Sequence, residues 1–235
     1  MCGAWVASAT VAVDSTHVEV GPLPVIQQIL DAYGGRSALE RVKAYRADGK
    51  IVARLRGREG PMSRLFQRPG RLRVELHYPD VTETRVVNGE QGWRGLGDEV
   101  GPAKAMMLDA MVLQAMRSDL PLFLFSHRDS LRVIAPLERD STQLEGLEVP
   151  LGAGRSLRAY IDPATHRIMV SQSLLGEDEG AMKFETSYSD FRRVGSVWFA
   201  FQEENVAGGR ATGTTTIDSV TLNPKFDPAD FDAPR

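Results

Sequence analysis

The chain has a single cysteine, Cys2, among its 235 residues. One thiol excludes an internal disulfide and any zinc site built on paired cysteines. The four histidines are far apart in the sequence, with His17 near the N-terminus, His77 in a strand pattern and His166 in a turn pattern. We therefore predict neither a metal site nor a bound cofactor.

Excess positive charge is also missing. The 28 Lys and Arg residues are outnumbered by 31 Asp and Glu residues, which gives a formal net charge of −3. A protein that binds nucleic acid presents a concentrated basic surface, so we predict no nucleic-acid partner. No stretch approaches the ~20 consecutive apolar residues of a membrane-spanning helix, and we predict no integral membrane span.

A convincing catalytic motif is absent as well. Ser126, His127 and Asp129 are the residue types of a hydrolytic triad, but adjacent residues rarely converge on one point. No Gly-x-Ser-x-Gly turn surrounds Ser126, although such a turn exposes the nucleophile in many hydrolases. We predict that the protein is not an enzyme and that it has no catalytic residues.

The N-terminal segment, residues 1–21, begins with a small and apolar stretch. Met1–Val13 contains the triplets Ala7-Ser8-Ala9 and Thr10-Val11-Ala12, which resemble the cleavage region of a secretory signal, but no Lys or Arg precedes them. One interpretation is an export signal cut near Ala9 or Ala12. The other is a frayed terminus or a first strand.

The remaining residues, 22–235, have enough apolar content for one domain with a large core. Apolar residues at helical spacing predict an amphipathic helix over Pro22–Tyr33, which Gly34-Gly35 ends. A short second helix is predicted over Arg36–Val42. The helical period returns between Pro102 and Asp119.

Long stretches between and after these helices have the period of two that is typical of half-buried strands. The pattern is clearest where Leu72, Val74 and Leu76 alternate with charged residues. A meander of four to five strands follows Ala44, and three more antiparallel strands occupy residues 157–201. The sequence therefore predicts an α+β fold in which helices pack on an antiparallel sheet.

Four polar residues on these strands have competing explanations. Arg71 and Arg73 lie on the outer face of their predicted strand, where they could receive an anionic head group or simply be solvated. Asp162 and Asp190 stand where strands end and turns begin. Capping of a turn by the side chain explains both aspartates without a function.

Methionine is concentrated in one segment, since four of the eight methionines lie between Met106 and Met116. Methionine adapts to irregular shapes, so this segment, beside Phe123 and Phe125, could line a pocket for flexible acyl chains. Ordinary core packing explains the same residues.

Five short motifs occur in an order that resembles a known family, the outer-membrane lipoprotein-sorting proteins. Their superfamily includes the periplasmic lipoprotein carrier and its outer-membrane receptor. The resemblance covers about residues 22–205. The motifs are Ala32-Tyr33-Gly34-Gly35 with Leu39-Glu40-x-Val42-Lys43, Arg68-Pro69-x-Arg71-Leu72-Arg73-Val74-Glu75, Asn88-Gly89-x-x-Gly92-Trp93, Tyr160-Ile161-Asp162-x-x-Thr165 and Tyr188-Ser189-Asp190-Phe191-Arg192-x-Val194.

The resemblance implies a strongly curved antiparallel sheet, an unclosed half-barrel, with helices plugging its open side and an apolar cavity between them. It implies a non-enzymatic protein of the periplasm or cell envelope that binds a lipid or the acyl chains of a lipoprotein. The alternative is a protein-interaction or sensor module on the same fold, with an envelope protein as partner and no lipid ligand. The residues that we expect to line the cavity are Leu72, Val74, Leu76, Trp93, Met107, Met111, Phe123 and Phe125.

Overall fold

The computed structural model describes residues 22–176 and 180–233. The export signal expected in residues 1–21 lies outside the described residues. Within them, the chain forms four α-helices and thirteen β-strands. The helices are α1 (Pro22–Ala32), α2 (Arg36–Arg41), α3 (Ala105–Arg117) and α4 (Leu120–Ser126). The strands are β1 (Ala44–Ala53), β2 (Arg58–Gln67), β3 (Arg71–His77), β4 (Thr82–Asn88), β5 (Gln91–Leu96), β6 (Glu99–Pro102), β7 (Arg132–Arg139), β8 (Thr142–Gly152), β9 (Arg155–Ile161), β10 (Ile168–Leu175), β11 (Met182–Val194), β12 (Val197–Ala207) and β13 (Arg210–Leu222).

All thirteen strands belong to one antiparallel sheet in the order β6-β5-β4-β3-β2-β1-β13-β12-β11-β10-β9-β8-β7. Each half of the sheet is a meander of consecutive strands. The two halves are joined where β1 pairs with β13, for example at Tyr45 opposite Leu222. The sheet is not closed into a barrel, so the predicted half-barrel with α+β architecture is confirmed.

The topology explains why helices cover the open side. Strands β6 and β7 form opposite edges of the sheet, yet they follow one another in the sequence. The segment between them must therefore cross the open side of the half-barrel, and it does so as α3 and α4. Helix α3 lies against β4 and β5 in one half of the sheet and β10 in the other.

Two apolar clusters form the core between the helices and the sheet. In one, Ile26, Ile29 and Leu30 of α1 and Leu124 of α4 pack with residues of β8–β10 such as Leu157. In the other, Met111 and Ala115 of α3 pack with strands β1–β4. The amphipathic pattern over the first helix is confirmed because its apolar face is buried in the first cluster.

The turn after α1 depends on glycine, as the sequence predicts. The Gly35 N–H donates to the Leu30 carbonyl over 2.8 Å, which ends the helix. Gly34 has a φ of +113°, and a Cβ atom there would lie 2.1 Å from the backbone oxygen of Ser196. A side chain at position 34 would therefore separate α1 from the beginning of β12.

The outer face of β3 and β4 is covered by the C-terminal segment. Phe231 is fully buried, and its ring packs edge to face against Phe226 with centroids 5.5 Å apart. Arg73 donates to the Asp230 carbonyl over 3.1 Å and pairs with Glu75 over 2.6 Å. Arg73 therefore tethers this segment, and neither sequence interpretation, a head-group site or plain solvation, describes its contacts.

The two aspartates assigned to turns differ. The Asp162 carboxylate accepts from Ala164 N and Thr165 Oγ1 over 2.9 and 2.8 Å, which confirms that it caps a turn. Asp190 instead lies inside β11 and pairs with Arg192 over 2.6 Å. Placing it at a strand end was wrong, because β11 continues to Val194 beyond an irregular position at Asp190, where φ is +51°.

Both edge strands contain proline. Strand β6 has only four residues and ends at Pro102. Strand β7 contains Pro136, and its pairing with β8 shifts register between Ile134 and Leu137. Proline removes a backbone donor from a strand edge. In the described part of the chain, no helix combines the length and the apolar character needed to cross a bilayer.

Candidate ligand cavity and its charged lining

A cavity of about 460 Å³ lies between α3 and the inner face of the sheet. Its walls come from alternate residues of neighbouring strands, because successive side chains of a strand point to opposite faces. Apolar lining residues include Tyr45, Ile51, Phe66, Val74 and Leu76 from the sheet, and Met107, Ala110 and Met111 from α3. The volume lies in the range of small-molecule pockets, roughly 300–1,000 Å³.

Three residues of the cavity lining are exposed, Leu55, Arg56 and Met107, and we call them the mouth. The other residues that line the cavity are buried or half-buried. Leu55 and Arg56 belong to a 3-10 turn, Arg54–Arg56, between β1 and β2. Met107 lies in the first turn of α3. The mouth is therefore rimmed by two exposed apolar side chains, 63% exposed at Leu55 and 42% at Met107.

Of the eight residues that the sequence analysis expects at a ligand cavity, Val74, Leu76, Met107 and Met111 lie in the lining of this one. The two methionines are one helical turn apart and so share a face of α3. Met111 is buried and Met107 lies at the mouth. Whether these side chains contact a ligand stays a prediction.

The other four lie elsewhere. Leu72 is on the inner face of β3 but is packed within the core. Trp93 lies opposite Val86 on β4 and so on the other face of the sheet from Glu83 and Arg85. Phe123 and Phe125 belong to α4 and pack near α1 and α2, where Arg36 lies 4.3 Å above the Phe125 ring.

The cavity floor contains a buried ion pair that crosses the sheet. Arg64 Nη1 and Nη2 donate to the two Glu203 oxygens, each over 2.7 Å, and the side chains are 13% and 11% exposed. Strands β2 and β12 are separated by β1 and β13, or about 14 Å in a flat sheet. The pair therefore spans the join between the two halves of the sheet. Burial raises the Glu203 pKa and Arg64 lowers it, so that it ends below its usual value.

A second pair, Arg68 and Asp119, ties the helices to the sheet. Arg68 donates to both Asp119 oxygens over 2.5 Å and to the backbone carbonyls of Leu39 and Val42 at the end of α2. Burial raises the pKa of Asp119 above its usual value, although Arg68 lowers it. These contacts fix the junction between α3 and α4 on the end of β2 and so hold α3 over the cavity.

Arg117 lies at the end of α3 and also lines the cavity. Its Nη1 donates to Thr186 Oγ1 over 2.9 Å, while its buried Nε has no hydrogen-bond partner among the residues that the structure describes. Its charge lowers the pKa of Glu203 further, after burial and Arg64. Arg117 therefore adds a second positive charge beside the Arg64–Glu203 pair.

The largest group of charges in the lining surrounds Glu83, whose side chain is 1% exposed. Arg56 Nη1 lies 2.7 Å from its Oε2, while Arg85 Nη2 and Arg94 Nη2 lie 2.8 and 3.0 Å from its Oε1. Burial raises the pKa of Glu83, and Arg85 and Arg94 lower it to a net value below the usual one. The carboxylate is therefore ionised at neutral pH. We call Arg56, Arg85 and Arg94 the arginine cluster.

The sequence pattern does not predict this charged lining, because charged residues on strands are ordinarily assigned to the solvent face. One signal was available. Met62, Arg64 and Phe66 alternate along β2, so Arg64 shares the inward face with two buried apolar residues. An arginine at an inward position of a strand needs a buried partner, and Glu203 supplies it.

The residue types of a hydrolytic triad, Ser126, His127 and Asp129, lie at the end of α4. Ser126 Oγ donates to the Phe123 carbonyl over 2.8 Å, and His127 Nδ1 lies 2.9 Å from the same oxygen. Asp129 is 88% exposed and lies 3.9 Å from Arg128. Ser126 Oγ also lies 3.0 Å from His127 Nδ1. In the described part of the chain no contact joins His127 to Asp129, so the three side chains do not form the linked nucleophile, base and acid of a triad.

Comparison with known proteins gives matches in structure but not in sequence. The sequence matches no family model and no curated protein. A domain from Vibrio parahaemolyticus named as an outer membrane lipoprotein-sorting protein has a TM-score of 0.56 at 10% identity, over 89% of this chain and 95% of that chain. A DUF1329 family protein from Desulfovibrio piger has a TM-score of 0.56 at 10% identity, over 90% and 98% of the two chains.

A LolA superfamily protein from Nitrosomonas europaea has a TM-score of 0.54 at 9% identity, over 89% of this chain and 96% of that chain. Each of these proteins is matched over nearly its full length. At such low identities the likeness concerns the fold. The resemblance to the lipoprotein-sorting superfamily that the five motifs indicate is therefore confirmed at the level of the fold.

Proposed function

We propose that the protein is a non-enzymatic lipid-binding protein of the cell envelope, which holds an acyl chain of a lipid or lipoprotein in the cavity under α3. The observation that carries the proposal is the cavity itself. It measures about 460 Å³, its wall is predominantly apolar, and its mouth is rimmed by exposed Leu55 and Met107.

The expected energetics suit reversible binding. Each methylene removed from water contributes about 0.8 kcal/mol, so ten would contribute roughly 8 kcal/mol. The loss of translational and rotational freedom on association offsets much of this gain. An acyl chain should therefore bind tightly enough to be carried and loosely enough to be released.

Two further observations support the proposal. Met107 and Met111 supply flexible, polarisable wall atoms that adapt to chains of different shape. The chains that share the fold include one named for lipoprotein sorting and one named for the LolA superfamily. An envelope location is part of the same proposal. It predicts that the expressed protein fractionates with the periplasm or the envelope, and recovery in the cytoplasm alone would refute the location.

Replacing Met111 with Trp tests the cavity directly. If Met111 borders open space, Met111→Trp fills that space, so affinity for a fluorescent fatty acyl probe should fall at least about tenfold, or about 1.4 kcal/mol. The unfolding midpoint in urea should change little. Met106→Trp is the matched control, because Met106 is on the same helix, is 54% exposed and does not line the cavity. It should leave both measurements near wild type.

The absence of open space at Met111 would give a different result. If the segment around Met111 is close-packed core, Met111→Trp overpacks it and costs about 1–3 kcal/mol of stability. A lowered urea midpoint with unchanged probe affinity would remove the cavity as the binding site. Failure of the wild-type protein to bind any acyl probe, or to retain lipid detectable by mass spectrometry, would refute the proposed function itself.

A further inference from the structure

The arginine cluster carries more positive charge than the protein neutralises. Three guanidinium groups face one carboxylate, that of Glu83, and each has its ion-pair contact with that residue. Two positive charges therefore remain. The other two arginine–carboxylate pairs of the cavity, Arg64–Glu203 and Arg68–Asp119, each contain one charge of each sign.

The cluster also has unused hydrogen-bond donors. Glu83 occupies Nη1 of Arg56, and it occupies Nε and Nη2 of both Arg85 and Arg94. Four guanidinium nitrogens form no hydrogen bond to the described residues: Nε and Nη2 of Arg56, Nη1 of Arg85 and Nη1 of Arg94. The three side chains are 39%, 30% and 31% exposed, so part of each is accessible to an incoming ligand.

The sheet register places two of these charges side by side. Arg85 on β4 and Arg94 on β5 are direct partners in the antiparallel pairing, and like charges in that arrangement destabilise a sheet. Glu83 lies between them and relieves part of the repulsion. A second anion would relieve the rest and would accept the remaining N–H groups.

The location connects the cluster to the acyl cavity. Arg56, Arg85 and Arg94 all line the cavity, and Arg56 is part of its mouth. Leu55, adjacent in sequence, presents an exposed apolar side chain at the same rim. An amphiphile with its chain in the cavity could therefore place its polar end at the mouth, beside the apolar Leu55 and the cationic Arg56.

We propose that the arginine cluster binds the phosphate or carboxylate group of the amphiphile whose acyl chain occupies the cavity, so that the preferred ligand is an anionic lipid. Guanidinium groups suit this role because their planar donors match the geometry of such anions and stay charged. This inference rests on the proposed function. Glu83 holds the three side chains in place, and the lipid anion supplies the missing negative charge.

The test uses the full chain and two ligands with the same acyl chain, the anionic lysophosphatidate and the neutral monoacylglycerol. Wild-type protein should prefer the anionic ligand. Arg56→Gln should weaken lysophosphatidate binding about tenfold, the effect of one lost charge-assisted contact, and should change monoacylglycerol binding less than about twofold. It leaves Glu83 paired with Arg85 and Arg94, so the fold should be kept, and a thermal melt checks this.

Arg54→Gln is the matched control. Arg54 is in the same 3-10 turn and is exposed, but it does not line the cavity. The substitution removes the same charge and should leave both affinities unchanged. An equal loss in the two variants would mean that net charge alone attracts the ligand, and it would overturn the site. Arg94→Gln provides a second variant, for which the same selective loss is expected.

The remaining outcomes separate the hypotheses. If both ligands bind wild-type protein equally and Arg56→Gln changes neither, the head-group site is wrong while acyl binding stands. If neither ligand binds, the proposed function fails. Glycerol phosphate, which lacks the chain, should bind far more weakly than lysophosphatidate. Equal binding would overturn the assignment to a lipid and indicate a site for free phosphate.

Discussion

Removing one partner of the Arg64–Glu203 pair should destabilise the protein more than removing both. The two contacts of 2.7 Å join side chains that are 13% and 11% exposed, so either charge would be left in a poorly hydrated site. An uncompensated buried charge costs about 3–5 kcal/mol, whereas replacing a whole buried pair by apolar residues is often nearly neutral. We expect that cost for Arg64→Leu or Glu203→Gln, and less than about 2 kcal/mol for Arg64→Leu with Glu203→Leu.

Arg117 should determine which of the two single variants is the less stable. Arg117 lowers the pKa of Glu203, after the larger effects of burial and Arg64, so it compensates Glu203 in part when Arg64 is removed. Glu203→Gln has no such compensation, because it leaves Arg64 and Arg117 without an anion between them. Glu203→Gln should therefore be the more destabilising of the two.

Urea unfolding followed by circular dichroism measures all three variants. Glu203→Leu, measured as a fourth, closes a double-mutant cycle that isolates the coupling between the residues. For a chain of this size, each kcal/mol shifts the melting temperature by about 2–4 °C, so each single variant should melt about 6–20 °C lower. A double variant as unstable as the sum of the singles, or a Glu203→Gln variant within about 1 kcal/mol of wild type, would contradict this account of the cavity floor.

Two further predictions concern a turn and the pH dependence. Gly34→Ala should lower the free energy of unfolding by at least about 2 kcal/mol, because the new Cβ would lie 2.1 Å from a carbonyl oxygen. Gly35 also has a positive φ, but the space around it is open, so Gly35→Ala should cost only about 1 kcal/mol. Equal urea midpoints for the two variants would refute the steric argument. Burial raises the pKa values of Glu83 and Glu203, but the facing guanidinium groups lower them to net values below normal. The stability that these carboxylates contribute above about pH 4.3 is therefore lost as the pH falls through the lowered pKa values. Asp119, whose pKa burial raises, acts with the opposite sign. The urea concentration at the unfolding midpoint should therefore decrease as the pH is lowered from about 5 to about 3. The decrease should be smaller in the variant with leucine at positions 64 and 203, and equal decreases would contradict the role given to Glu203.

Local features of the fold could be predicted because they depend on residues close in sequence. Leu72, Val74 and Leu76 alternate with charged residues, and all three are buried on one face of β3. The methionine-rich segment forms α3, whose bounds, Ala105–Arg117, lie within the predicted range. In both cases the hydrophobic period selects one face, and the core covers that face.

Long-range features could not be derived from the residue pattern. The pairing of β1 with β13 joins residues about 180 positions apart, as at Tyr45 and Leu222, and no local period specifies it. The family resemblance supplied the half-barrel. It did not supply the charged lining, because Glu83, Arg85 and Arg94 look like ordinary solvated strand residues until the sheet curves and α3 covers them.

The cavity residues show the same division. The sequence could indicate Met107 and Met111 through their spacing on one helix. Phe123 and Phe125 pack against the first cluster, because the break between α3 and α4 at Ser118 and Asp119 turns α4 towards it. The turn depends on the ion pair of Asp119 with Arg68, a contact between distant segments that a helical period cannot reveal.

The prolines in the two edge strands have a consequence for how the protein behaves among other chains. An open sheet exposes two rows of unpaired backbone groups, and such edges template pairing with other extended chains. Here β6 is only four residues long and ends at Pro102, and β7 is interrupted by Pro136 beside a register shift. Both edges are therefore poor templates for a regular ladder, which disfavours the recruitment of further strands into aggregates. Association with a partner would then use side chains more readily than strand addition.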